Sequence, residues 1–206
     1  TALITETNVP HDENIQYLGD GCDEAQLVYN FTLPPLLLHA LVTGSARVLA
    51  DWIQTLSNLP GAASMFFNFT ASHDGIGVRP LEGILPASEI DRLAERVKQN
   101  GGYVSTRRRT DGSEIPYEFN TTYFDALKDP DVANDVFHLA RFLASQAVAL
   151  ALPGVPAVYI HSLLGSRNWS AGVQATGKAR TINREKLSAD TLAGDLADPQ
   201  TFRSQV

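Results

Sequence analysis

The chain has 206 residues, of which 44% are hydrophobic and 19% charged, and its formal net charge at pH 7 is −7. This length and apolar content suit one globular domain with a sizeable core and exclude an intrinsically disordered chain. The acidic balance gives no electrostatic support for binding a phosphate backbone, and no apolar run is long enough to span a membrane. We therefore expect neither a nucleic acid nor a membrane as a partner.

Strands and helices alternate in the predicted chain order. Four continuous apolar runs are typical of strands covered on both faces, as in parallel sheets; they are ALIT (2–5), QLVYNF (26–31), SMFFNF (64–69) and VPAVYI (155–160). Four helical periods accompany them, at 34–41, 45–56, 89–99 and 131–151. The last period predicts a buried stripe formed by Phe137, Ala140, Ala144, Val148 and Ala151.

One stretch, YVSTRRRTDGSEIPYEF (103–119), departs from this alternation, because two extended runs flank an Asp-Gly turn. It predicts a hairpin-like excursion. The remaining order of strands and helices predicts an α/β fold with a parallel sheet. Periodicity leaves open whether that sheet is open or closes into a barrel, but in both cases active residues lie beyond the carboxyl ends of the strands.

Ionisable side chains follow three of the predicted strands. Glu6 follows the first, His73 and Asp74 follow the third, and His161 follows the last. Two carboxylates at different strand ends would converge over one pocket, and paired carboxylates perform glycosidic bond chemistry. Simpler explanations stay open: Glu6 as a solvated acid at the rim of the sheet, His73 and Asp74 as part of an Asp-Gly turn, and His161 as a buried, hydrogen-bonded histidine. No His and Cys cluster has the spacing of metal ligands, so we expect no metal.

Five motifs occur in order over about residues 2–187, namely LITETNVPHDENIQYLGDG, NFTASHDGIGVRPLEGILP, YEFNTTYFDAL, LPGVPAVYIHSLLGSRN and ARTINRE. Together they resemble the sucrose-phosphorylase-like branch of glycoside hydrolase family 13, in the α-amylase superfamily. The resemblance implies part of a (β/α)8 TIM barrel, strands five to eight with their helices and long loops. Residues 1–206 would be this partial catalytic domain, with a loop excursion near residues 100–120 and without the N-terminal half and the C-terminal β-domain.

The resemblance also implies roles for particular residues. Glu6 matches the general acid/base, and Asp74 matches the carboxylate that stabilises the transition state through the sugar hydroxyls. His73 matches a sugar-binding histidine, and Arg180 matches an arginine near the bound glucosyl unit. Tyr117 falls in a mobile loop that in sucrose phosphorylases helps to admit phosphate or acceptor.

Three further residues near the SHDGIG motif carry predictions of their own. Arg79 is a candidate for binding an anionic group of the acceptor, because guanidinium suits phosphate and carboxylate; an ion pair at the rim is the alternative. Gly75 and Gly77 are expected to turn the chain away from the pocket without side chains that block the sugar.

The resemblance implies a retaining transfer of α-glucose from a small glucoside to inorganic phosphate, which is a co-substrate, and no cofactor. The glucoside would be sucrose, sucrose 6-phosphate, glucosylglycerol or glucosylglycerate, and the product α-glucose 1-phosphate. The VRP sequence after SHDGIG is more similar to the enzymes for the last three. An α-glucosidase or transglucosidase of the same superfamily is the alternative reading.

The chain itself is expected to be incomplete. It begins at Thr1, and the first predicted strand follows directly at residue 2. This start predicts a piece of a longer protein. No residue matches the family's nucleophilic aspartate, so we expect the chain alone to be inactive; a non-catalytic structural fragment is the alternative. Half a barrel leaves strand edges open, which predicts self-association. The single cysteine, Cys22, and the lack of a signal peptide pattern favour a cytoplasmic protein.

Overall fold

The computed structural model describes residues 2–57, 59–61 and 64–206. Its strands are β1 (Ile4–Thr5), β2 (Leu27–Tyr29), β3 (Met65–Asn68), β4 (Ile76–Gly77), β5 (Tyr103–Arg108), β6 (Glu114–Asn120) and β7 (Val155–Pro156). Its helices are α1 (His11–Gln16), α2 (Leu33–Thr43), α3 (Arg47–Thr55), α4 (Ala87–Gln99), α5 (Tyr123–Ala126), α6 (His138–Ala151), α7 (Ile160–Leu163), α8 (Ser170–Thr176), α9 (Ala189–Ala197) and α10 (Phe202–Gln205). Short 3₁₀ segments span Arg79–Leu81 and Ala179–Asn183.

Four of the strands form one parallel sheet in the spatial order β1-β2-β3-β7. Thr5 pairs with Val28, and Val28 pairs with Phe66, so the first three strands are in register. Because all four run in the same direction, their carboxyl ends share one edge of the sheet. The predicted α/β fold with a parallel sheet is confirmed, and spatial neighbours follow the sequence order of the predicted strands.

The helices that follow β2 form much of the core beside this sheet. Pro34 and Pro35 lie in the first turn of α2, where proline's missing N–H is tolerated, and Gly44 ends the helix in the left-handed conformation, with φ +69°. Helix α3 lies within the predicted period 45–56, and its Leu49 and Trp52 are buried in the same cluster as Phe66 of β3. No helix in the described ranges has the length and hydropathy needed to cross a membrane.

The excursion at 103–119 is the antiparallel hairpin β5–β6, as predicted. Gly112 occupies its turn with φ +86°, a conformation that favours glycine. The sequence did not predict β4, which pairs with β6 through Ile76 opposite Phe119 and Gly77 opposite Glu118. The second sheet therefore has the order β4-β6-β5 and connects the segment after β3 to the hairpin.

Two predicted elements are shorter than expected. The run VPAVYI is a strand only at Val155–Pro156, because Pro156 has no N–H for the ladder and Tyr159 then caps helix α7. His161 therefore lies in α7, where it is buried with Nδ1 2.9 Å from Ser166 Oγ, in agreement with the reading of a satisfied buried histidine.

The helix predicted over 131–151 begins only at His138. Aspartate side chains before it accept hydrogen bonds from nearby backbone N–H groups, with Asp135 bonded to the N–H of Asp129, and such local bonds compete with a helix.

The predicted buried stripe of that helix is wrong. Phe137 is 68% exposed, and the buried side chains are those of His138, Phe142, Ser145 and Ala149. His138 faces inward because its Nε2 lies 2.7 Å from the carbonyl oxygen of Phe124, so the polar group is satisfied. Apolar periodicity cannot detect an inward face that includes hydrogen-bonded polar residues.

Candidate active site

Glu6 lies at the carboxyl edge of the parallel sheet, directly after β1, and is exposed. In register it is level with Tyr29 of β2 and Phe67 of β3. Burial raises the pKa of the Tyr29 phenol, and the charge of Glu6 adds to this effect. Neighbouring strands lie about 4.8 Å apart, so the ends of β1 and β3 are about 10 Å apart.

Asp74 follows β3, and its carboxylate is held by two arginines. Arg180 Nη1 and Arg184 Nη2 each donate to Asp74 Oδ1 at 2.8 Å. The Asp74 side chain remains 26% exposed, and Oδ2 accepts no hydrogen bond from the residues that the structure describes. The second carboxylate oxygen is therefore open to a ligand hydroxyl.

The backbone around Asp74 is fixed by a network of hydrogen bonds. Asn183 Nδ2 donates to the carbonyl oxygens of both Ser72 and Asp74 at 3.0 Å. Arg184 Nε donates to the carbonyl oxygen of His73 at 2.6 Å, and Ser72 Oγ accepts from the N–H of Asp74. The loop after β3 is thus held by the second 3₁₀ segment and by Arg184, the residue that follows it.

An aromatic-walled cavity of about 180 Å³ lies beside the carboxyl ends of β2, β3 and β7. Tyr29 and Phe67 line it and stack with ring centroids 4.9 Å apart, and the exposed His73 lines it as well. Tyr159 also lines it; burial raises the pKa of its phenol, with nearby Arg184 and Asp74 acting in opposite senses. Neither Glu6 nor Asp74 is among its lining residues in the described part of the chain, but Asp74 directly follows His73 of its wall.

The volume is below the roughly 300–1,000 Å³ of typical small-molecule pockets. A larger cavity of about 500 Å³ lies between α1 and α3 and shares no lining residue with the aromatic-walled cavity.

Sequence reasoning missed two charged residues of this site. Glu118 is buried in β6 and accepts two hydrogen bonds from Arg180, from Nε at 2.9 Å and from Nη2 at 2.6 Å. These bonds raise the pKa of the Arg180 guanidinium. Arg184 was also missed, although its place in ARTINRE, four residues after Arg180, was a usable signal. An acid flanked by aromatic residues in PYEF was a weaker signal for Glu118.

The roles predicted for the two glycines are wrong. Neither Gly75 nor Gly77 has a positive φ. A Cβ at Gly75 would lie 2.6 Å from Glu118 Cγ, and one at Gly77 would lie 2.5 Å from Asn8 Oδ1. The absent side chains therefore make room for protein atoms, not for a sugar.

Replacing Gly75 with alanine is expected to destabilise the full-length protein by about 1–3 kcal/mol, because overpacking forces the neighbouring atoms to shift. The obstacle includes backbone, since the carbonyl oxygen of Phe119 lies 2.7 Å from the added Cβ. Denaturant unfolding measures the change. Gly194→Ala in α9 is the matched control, because no atom lies within 4 Å of its Cβ. Equal effects of the two substitutions would contradict the steric explanation.

Tyr117 and Arg79 are placed differently from the cluster around Asp74. Tyr117 lies within β6, not in a loop, and its carbonyl oxygen accepts from the N–H of Val78. Tyr117 adds to the raised pKa of Arg180, after the larger effects of Glu118 and Asp74. Arg79 lies in the first 3₁₀ segment, where Nε is buried and has no hydrogen-bond partner among the described residues. No contact joins Arg79 to Asp74 within that part of the chain.

In the ranges that the structure describes, no three His, Cys, Asp or Glu side chains are grouped so that they could hold a metal ion. The expectation that the protein uses neither a metal nor a cofactor stays a prediction.

Comparison with known proteins found no matching family model. The chain is 48% identical over 206 residues to a glucosylglycerate phosphorylase of Escherichia coli (strain K12), covering 100% of this chain and 36% of that protein. It is 33% identical over 184 residues to a sucrose phosphorylase of Bifidobacterium adolescentis, covering 84% of this chain and 34% of that protein.

A solved structure matches as well. The crystal structure of sucrose 6F-phosphate phosphorylase from Thermoanaerobacter thermosaccharolyticum superposes with a TM-score of 0.77 and 26% identity, over 96% of this chain and 37% of that one. The chain spans about a third of the length of the curated relatives that it matches.

Proposed function

Because this chain belongs to the sucrose-phosphorylase-like branch of glycoside hydrolase family 13, we propose that it is the second half of the catalytic (β/α)8 barrel of a glycoside phosphorylase. In this proposal β1, β2, β3 and β7 are strands five to eight. Their parallel pairing in sequence order supports the assignment, because consecutive strands of such a barrel are neighbours. Residues 1–206 then form part of one catalytic domain.

The proposed reaction is a retaining transfer of glucose from a small glucoside to inorganic phosphate. Glu6 gives its proton to the leaving oxygen as the bond to the anomeric carbon breaks, and the aspartate nucleophile comes from outside these residues. Phosphate then attacks the glucosyl intermediate, with Glu6 as base, and α-glucose 1-phosphate is released. The observation that carries the proposal is that Glu6 directly follows β1 at the carboxyl edge of the sheet, while Asp74 follows β3 next to His73 of the cavity wall and is held there by Arg180 and Arg184.

The remaining predicted residues have roles around the same sugar. Asp74, through its open oxygen, binds hydroxyls of the glucosyl unit and stabilises positive charge in the transition state. His73, on the wall of the cavity, donates to a sugar oxygen. Arg180 holds Asp74, and Tyr117, the residue before Glu118 in β6, helps to admit phosphate or the acceptor.

We propose glucosylglycerate as the glucoside. The chain is 48–50% identical to three glucosylglycerate phosphorylases and 27–36% identical to relatives named for sucrose, glucosylglycerol or sucrose 6(F)-phosphate. Glycerate carries a carboxylate, which suits a guanidinium. Arg79, with its buried and unpartnered Nε in the described part of the chain, is the residue that we assign to that group.

The test uses the full-length protein with glucosylglycerate, sucrose, sucrose 6-phosphate and glucosylglycerol, each with and without inorganic phosphate. We expect α-glucose 1-phosphate to form fastest from glucosylglycerate and only when phosphate is present. Release of free glucose at a rate indifferent to phosphate would discard the phosphorylase and leave an α-glucosidase or transglucosidase. A faster reaction with sucrose would overturn the choice of glucoside.

The isolated 206-residue chain is expected to be inactive and to self-associate. The outer strands β1 and β7 carry exposed apolar side chains, including Ile4 at 50% and Val155 at 37% exposure, and open strand edges recruit partners. Light scattering measures association, and a phosphorolysis assay measures activity. A monomeric species that melts cooperatively would contradict the edge argument, and turnover that depends on Glu6 would contradict the claim of inactivity.

A further inference from the structure

We propose that Glu118 is a positioning residue for this reaction: acting through Arg180, it sets which oxygen of Asp74 is left open to the sugar. The inference rests on the proposed function, because it concerns the same site. Glu118 touches neither Glu6 nor the aromatic cavity in the described contacts, so its effect must pass through Arg180.

The first step is the orientation of the Arg180 guanidinium. A guanidinium is planar, and its N–H groups point in fixed directions. Nε and Nη2 of Arg180 are both used on Glu118, one on each carboxylate oxygen, at 2.9 Å and 2.6 Å. This bidentate pair fixes the plane of the guanidinium and leaves Nη1 for Asp74 Oδ1, at 2.8 Å.

The second step is the rigidity of Glu118 itself. It lies in β6, the central strand of the second sheet, opposite Gly77 of β4 and Ser105 of β5. Its side chain is 5% exposed, and it packs against Gly75, where a Cβ would meet it at 2.6 Å. Asp74 directly precedes Gly75. Glu118, which orients Arg180, and Asp74, which Arg180 contacts, are therefore held close to each other by this packing.

The third step is the consequence for Asp74. Arg180 and Arg184 both donate to Oδ1, and Oδ2 accepts no hydrogen bond from the described residues. Without the charge of Glu118, the guanidinium of Arg180 can rotate and take both Asp74 oxygens as a bidentate pair, which is the preferred geometry of arginine with a carboxylate. Glu118 therefore keeps Oδ2 available to the glucosyl hydroxyls.

The test is Glu118→Gln in the full-length protein. We expect kcat to fall by about 100-fold, the scale of a small misplacement in an active site. KM for the glucoside should change much less, because the lost contact acts in the transition state. Glu118→Asp, which keeps the charge, should restore part of the loss. Glu82→Gln is the matched control: Glu82 pairs with Arg107 at 2.5 Å, outside this network, and kcat should stay unchanged.

A double substitution separates positioning from a purely structural role. If Glu118 acts through Asp74, then Glu118→Gln combined with Asp74→Asn should be about as slow as Asp74→Asn alone. Losses that multiply, or an unchanged kcat in Glu118→Gln, would overturn the inference. If the wild-type protein releases glucose without phosphate, the proposed phosphorylase fails, but the same cycle measured on hydrolysis still decides the role of Glu118.

Discussion

Replacing Glu6 with glutamine in the full-length protein is expected to lower kcat for the glucoside by about 10²–10⁴-fold, the usual contribution of a general acid. Glutamine has nearly the same shape but gives no proton to the leaving oxygen. The site should otherwise persist, because Glu6 is exposed and the strand before it is held by pairing with β2. The measurement is kcat at saturating glucoside and phosphate.

A substrate with an activated leaving group sharpens this test. α-Glucosyl fluoride needs little protonation to depart, so its first step should lose far less rate in Glu6→Gln than that of the natural glucoside. Glu13→Gln is the control, because Glu13 is an exposed acid of α1. Unchanged turnover of the natural glucoside would rule out Glu6 as the acid.

Asp74→Asn is expected to reduce kcat at least as much as Glu6→Gln. The carboxylate faces positive charge that develops at the sugar only in the transition state, so the loss should appear in kcat more than in KM. Asparagine keeps the size of the side chain but removes the charge that Arg180 and Arg184 contact.

Two measurements distinguish this outcome from a loss of folding. Thermal unfolding of Asp74→Asn reports whether the unpaired arginines destabilise the protein. Binding of the glucoside to the unreacting variant should remain close to wild type. Asp51→Asn, on the exposed side of α3, is the control with full activity. A variant whose KM rises while kcat is retained would show that Asp74 only binds the ground state.

Apolar patterns in the sequence were sufficient to predict the parallel sheet of this protein. Continuous runs such as SMFFNF predicted strands covered on both faces, and the structure has a parallel sheet at these positions. Because carboxyl ends of parallel strands share an edge, the sequence also predicted that Glu6 and Asp74, which follow two of the runs, lie beyond one edge. The hairpin at 103–119 could also be predicted from the sequence, since its Asp-Gly turn lies between two extended runs.

Only the tertiary structure decided how the charges around Asp74 are arranged. Arg180 joins Glu118, 62 residues away, to Asp74, 106 residues away, and no periodic pattern encodes contacts at such separations. The strand β4 formed because β6 was available to pair with it, not because two residues carry a strand signal. Local sequence encodes which face of an element is apolar, whereas partners of buried polar groups depend on packing between distant segments.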